Sequence, residues 1–108
     1  NASPFDQQAS DNSASGDAST PSTSTLAQAN EIVFAIAAVS NNDTDITITT
    51  PSGYTNLMIN QDANATIGVE VSYKIVSATT AVSATWTHDN TSQSGWSSKL
   101  ATFKITPV

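Results

Sequence analysis

The chain has no cysteine and no arginine. The first absence excludes a disulfide framework and any thiolate metal site. Stability must come from strand pairing and core packing, or from neighbouring subunits. The second leaves three lysines, Lys74, Lys99 and Lys104, against nine acids and a net charge of −6. Neutralising phosphates takes several basic side chains on one face. Nucleic acid is therefore not an expected partner, and an anionic membrane surface is disfavoured for the same reason. Charged residues make up 11% of the chain, less than half of the roughly 25% usual in globular domains. Serine, threonine, asparagine and alanine take their place. Such a neutral, hydroxyl-rich surface suits a packed array or an extracellular coat. No apolar run approaches the roughly 18 residues of a membrane-crossing helix, so membrane insertion is not expected. The first residue is Asn1 rather than methionine, which fits removal of a leader or excision from a longer chain. Together these features predict an extracellular, cell-surface or virion location.

Groups equipped for chemistry are equally scarce. His88 is the only histidine, so a Ser-His-Asp triad would have to use it. It lies in His88-Asp89-Asn90-Thr91-Ser92, which reads as a solvent-exposed loop, and no G-x-S-x-G elbow accompanies it. Glu31 and Glu70 are the only glutamates. Each sits beside a strand core, and nothing in the sequence marks either as buried or as half of a glycosidase carboxylate pair. Asp43 and Asp45 make a weak Ca²⁺ candidate, because an oxygen-rich loop can hold that ion. The EF-hand glycine and distal glutamate are missing, so solvated turn acids are the plainer reading. No enzyme activity, catalytic residue or cofactor is expected.

What the chain does have is alternation. Ile67, Val69, Val71, Tyr73 and Ile75 point one way and Gly68, Glu70, Ser72 and Lys74 the other, the mark of a strand with two unlike faces. The apolar set is expected to face a core and the polar set water. Residues 32–39 form a continuous apolar run of strand length, rich in β-branched side chains. Residues 46–49 alternate, Pro51-Ser52-Gly53 is a turn, 54–60 is a strand and 61–64 a turn. Val82, Ala84 and Trp86 mark another strand, 88–95 a polar loop, and Trp96 opens the last strand, where Ala101, Phe103 and Ile105 share a face. About seven or eight short strands separated by turns read as an all-β, antiparallel two-sheet β-sandwich, jelly-roll or immunoglobulin-like. Val33, Ile36, Leu57, Val69, Val71, Tyr73, Trp86, Ala101 and Phe103 are its predicted inward residues.

The 108 residues amount to a single domain that can bury a core without staples. Residues 1–25 form a polar N-terminal arm or first strand, and 26–108 the sandwich. In the arm, Pro4 and Phe5 are the sizeable apolar element, suited to lying across a neighbouring subunit as an added strand or plug. Residues 19–25 form a Ser/Thr/Pro tract, readable as a linker or as an edge strand. Tyr54 and Trp96, at strand starts, are the candidate platforms for stacking a sugar. Four N-glycosylation sequons begin at Asn1, Asn42, Asn64 and Asn90.

An ordered set of short motifs adds a resemblance. Asn30-Glu31-Ile32-Val33, Pro51-Ser52-Gly53-Tyr54-Thr55, Ser72-Tyr73-Lys74-Ile75-Val76, Ser83-Ala84-Thr85-Trp86-Thr87, and Trp96 with Leu100-Ala101-Thr102-Phe103-Lys104 follow one another along nearly the whole chain. The set resembles small all-β modules of bacteriophage virion proteins and secreted prokaryotic surface proteins. The resemblance implies a jelly-roll or immunoglobulin-like sandwich serving as a structural, decorating or adhesive module, and carries no catalytic residues. The expected function is a non-enzymatic structural subunit of a filament or virion coat that self-associates into a homopolymer or lattice. The alternative is a carbohydrate-binding or adhesive module, with glycans as its partners.

Overall fold

A computed structural model describes residues 3–42, 46–60, 66–88 and 93–106. The described residues contain five strands and no helix: β1 (Phe5–Ser13), β2 (Glu31–Asn41), β3 (Thr55–Asn60), β4 (Ile67–Val76) and β5 (Gln93–Lys104). They form one antiparallel sheet in the order β1-β5-β2-β4-β3. β4 covers the span that the alternation predicted, and β2 extends the apolar run 32–39 by one residue before it and two after. Gly53 takes φ 83°, as the third position of a type II turn requires. The Tyr54 N–H closes that turn onto the Pro51 carbonyl at 3.1 Å. The expected turn at 61–64 lies outside the described residues.

The strand order explains the rest of the architecture. β1 and β2 run in the same direction with β5 between them. β2 and β3 do so across β4, and β4 and β5 across β2. Each such link has to run back along the length of the sheet. All three links contribute buried side chains to the same face: Ala18 and Leu26 from the first, Ile46 and Ile48 from the second, Val82, Ala84 and Trp86 from the third. They pack with Val33, Ala35, Ala37 and Val39 of β2 and Trp96 and Leu100 of β5. The face carrying these residues is called inner below, and the opposite one outer.

The covering links are extended and joined to each other, without forming a second set of regular strands. Thr20 N–H donates to Ala84 O, Trp86 N–H to Ala18 O and Thr23 N–H to Val82 O at 2.8–2.9 Å. On the other side of 79–88, Thr49 N–H donates to Thr87 O at 2.9 Å. Among the described residues two isolated bridges result, Ser19 with Thr85 and Ile48 with His88. The physical reason is local. Pro21 has no N–H to donate, and the hydroxyls of Thr20 and Thr23 accept from Ala84 N and Val82 N at 3.0 and 3.1 Å, where a ladder would use carbonyls. The expected strands at 46–49 and around 82–86 are thus cover segments. Their inward residues, Val82, Ala84 and Trp86 among them, are buried as the alternation required.

The expected orientation of the sheet is reversed. In β4 the inner residues are Gly68, Glu70 and Ser72, all buried, while Ile67 and Ile75 are exposed at 54% and 64%. Of the predicted inward residues, Val33 and Trp86 are buried; Val69, Val71, Tyr73, Ala101 and Phe103 are half-buried on the outer face; Ile36 and Leu57 are exposed. Small or polar side chains of the sheet leave room for the bulk of the cover. A Cβ on Gly68 would stand 2.7 Å from Ile46 Cγ2.

Candidate functional site

The inner face is sealed by polar contacts that use the chain's hydroxyl-rich composition. Glu70 and Glu31 are both fully buried, a correction to their reading as unmarked strand-flanking acids. Glu70 Oε1 accepts from Trp86 Nε1 at 2.7 Å and its Oε2 from Asn56 Nδ2 at 2.8 Å. Ser98 Oγ donates to Ser19 O at 2.6 Å. Thr102 Oγ1 accepts from Gln7 N at 3.0 Å. These bonds make a polar interior tolerable, since each donor or acceptor they join meets a partner. Not every buried polar atom is so matched: the Ser72 hydroxyl and both carboxylate oxygens of Glu31 have no hydrogen-bond partner. Glu31 stands directly across from Lys104 in the β2–β5 register, and the Lys104 ammonium instead donates to Ser3 O at 3.3 Å.

The single histidine is not a solvent-exposed loop residue. It is half-buried, and its Nε2 accepts from Ala18 N at 2.9 Å, which fixes the imidazole as an acceptor tying two cover segments together. Trp96 is 8% exposed and donates its Nε1 proton to Ser15 O at 3.0 Å, so it is a core residue and not a sugar platform. Tyr54 is half-buried with its hydroxyl on Ser83 O at 2.9 Å and the Lys74 ammonium 4.6 Å above its ring. Burial pushes its phenol up to about 12. Both platform candidates are thus committed to contacts within the chain, and the structure does not bring them together on an open surface. Phe5 does not hang free as an arm: it pairs in register with Phe103, and their rings meet edge-on at 6.0 Å. Of the sequon asparagines, Asn42 is exposed; Asn1, Asn64 and Asn90 lie outside the described residues, as do Asp43 and Asp45. Among the described residues no three His, Cys, Asp or Glu side chains gather where they could hold a metal ion.

The feature that stands apart is the outer face. In register across it lie Ile32, Phe34, Ile36 and Ala38 of β2, flanked by Ile75, Tyr73, Val71 and Val69 of β4 and by Phe103 and Ala101 of β5. Phe103 also meets Phe34 edge-on at 6.1 Å. Met58 of β3 continues the surface beside Val71. Three shallow depressions of about 260, 290 and 230 Å³ lie on it, and Ile36, Ala38 and Lys99 recur among their lining residues. Among the described residues nothing covers this face, because the described parts of the three long links pack on the other one. Scattered exposed apolar residues are normal; a contiguous apolar patch is what marks an interaction surface. Period-two alternation could have found this surface, since it groups the same residues. The alternation points these residues at a core, and the structure turns them outward. The chain matches no protein-family model, no curated protein and no solved structure.

Proposed function

We propose that the protein is a non-enzymatic structural subunit of an extracellular or virion surface assembly, a filament or a coat, built by association of its own copies. The cover segments act in this reading as a rudimentary second sheet, making the subunit a sandwich. The observation that carries the proposal is the uncovered outer face, where an apolar surface runs from Phe5 and Phe103 across Phe34 and Ile36 to Val71 and Met58. The edge strand β3 adds support. Every residue of Thr55–Asn60 is exposed, Leu57 and Met58 among them. The strand carries none of the lysine or proline with which soluble proteins blunt a sheet edge. The resemblance of its ordered motifs to those of phage virion and prokaryotic surface modules is in keeping with such a role. A sugar-binding role has less support, because Trp96 is buried and the Tyr54 hydroxyl is engaged.

The test is electron microscopy of the purified chain over rising concentration, beside material from its native source. Regular polymers or lattices with one repeating subunit are the expected result. A chain that stays monodisperse and monomeric under all conditions, with no ordered particles in the native material, overturns the proposal.

A further inference from the structure

Resting on that assembly reading, we infer that the outer face is the contact itself: two copies of this chain pack sheet against sheet through Phe34, Ile36, Val71, Tyr73 and Ala101. Three observations select a second copy as the occupant.

The first is area. The strands hold nine, eleven, six, ten and twelve residues. With strands about 4.8 Å apart and about 3.3 Å of rise per residue, five of them make a face on the order of 700 Å². A standard stable interface takes about 800 Å² from each partner. The whole face thus falls within the range of about 600–1,000 Å² per partner of standard interfaces.

The second is charge. Two copies of a chain with net charge −6 repel unless they meet where their acids are absent. The outer face is such a place. Its residues in the five strands include no aspartate or glutamate, and the only charge in register on it is Lys99, opposite Ile36 and Ser10. The buried carboxylates of Glu31 and Glu70 belong to the inner face. Lys99 can lay its aliphatic stem along Ile36 and carry its ammonium past Ser10 to the β1 rim.

The third is anatomy. The apolar centre is bordered by Ser10 and Asn12 on β1, Ser40 and Ser97 at one strand end, and Asn60 on β3. An apolar core with a polar rim is the arrangement of specific interfaces; here the border is polar along these stretches, while Phe5 and Ile75 carry the apolar surface out to the other strand end. An isologous contact needs one self-complementary patch and no second surface. Packed sheets lie about 10 Å apart with strands aligned or orthogonal, and either geometry lets side chains of this size interdigitate.

The experiment is sedimentation velocity on the full chain and on I36K/V71K, from about 1 to 100 μM, the range where interfaces of this size begin to populate dimers. Emission of the two buried tryptophans, Trp86 and Trp96, reports whether each variant folds. The expected result is a wild-type dimer or larger species whose association weakens at least tenfold in I36K/V71K, with the emission unchanged. If that variant does not fold, I67K/I75K, altered at the two most exposed β4 positions of the face, is measured against the same criterion. Association that persists at wild-type strength in the folded lysine variant overturns the face-to-face contact while leaving the assembly reading intact, with the β3 edge as its contact. A wild-type chain that is monomeric throughout, or that instead binds neutral phospholipid vesicles or an insoluble polysaccharide, overturns the face-to-face contact, and the assembly reading falls with it when the native material also holds no ordered particles.

Discussion

The carboxylate of Glu70 accepts a 2.7 Å hydrogen bond from the indole nitrogen of Trp86, joining the middle of β4 to the cover segment that crosses above it. Both side chains are fully buried. A charged acceptor bound to a neutral donor is stronger than a neutral pair, and here it fixes which link lies over the sheet and at what height. Removing the acceptor leaves the Trp86 N–H buried and unpartnered. Glu70→Ala is expected to lower stability by about 2–4 kcal/mol, combining that loss with a cavity. Glu70→Gln keeps an oxygen for Trp86 and is expected to lose less. Urea unfolding of the two variants and of Trp86→Phe checks this. A Glu70→Ala loss under about 0.5 kcal/mol would mean that the bond is not formed.

Gly68 is expected to tolerate no side chain. Its φ is ordinary, so the obstacle is space: a Cβ meets Ile46 Cγ2 at 2.7 Å. Gly68→Ala should cost about 1–3 kcal/mol through overpacking. Ile46→Leu, which has no branch at Cβ, should recover part of that loss in the double variant. Strictly additive losses in a double-mutant cycle would refute the clash.

Tyr54 sets an alkaline limit. Burial raises its folded-state value to about 12 from the ordinary 10.0. The folded protein therefore holds the phenolic proton more tightly than the unfolded chain does. The contribution is fully present below pH 10 and is lost as the pH climbs from 10 towards 12. Tyr54→Phe should flatten that part of the stability profile. Equal slopes for the two proteins between pH 10 and 12 would count against the burial.

Glu31 is a liability within the fold. Its buried carboxylate oxygens have no hydrogen-bond partner, and an unpartnered buried polar group is destabilising. Glu31→Leu is expected to raise stability by about 1–3 kcal/mol. Chemical denaturation reads the change directly, and a lower midpoint would show that the carboxylate has a partner in solution.

The threonine hydroxyls of the cover are expected to act as backbone partners. Thr20→Val and Thr23→Val should each cost about 1–3 kcal/mol by orphaning the amides of Ala84 and Val82. Hydrogen exchange at those two amides should accelerate in the matching variant and stay slow in Thr20→Ser and Thr23→Ser. Uniform acceleration across the sheet would instead indicate a general loss of stability.

Much of the architecture was legible in the sequence. β-branched residues in 32–39 and strict alternation in 67–76 located β2 and β4, and Pro51-Ser52-Gly53 located the turn before β3. The spacing of Val82, Ala84 and Trp86 marks one extended segment with these residues on one side, and Trp86 is the one it places in the core; the structure buries all three. The second sheet did not follow, because Pro21 and the competing hydroxyls of Thr20 and Thr23 replace ladder bonds that the propensity of threonine had suggested. The burial of Trp96 and the engagement of Tyr54 were not legible either. Each depends on a carbonyl far along the chain, Ser15 for Trp96 and Ser83 for Tyr54.

The candidate surface was half legible, and the half that was missing explains the division. Alternation by itself determined that Ile67, Val69, Val71, Tyr73 and Ile75 share one face and Gly68, Glu70 and Ser72 the other, because successive side chains of a strand must point to opposite sides. It contains no term for which face will be covered. That was decided by the three long links, which place Trp86, Ile46, Ile48 and Leu26 over the smaller residues. There Gly68 leaves room for Ile46 and Glu70 meets the Trp86 indole. Once those bulky side chains filled the inner face, the apolar outer face was left without cover from the described residues.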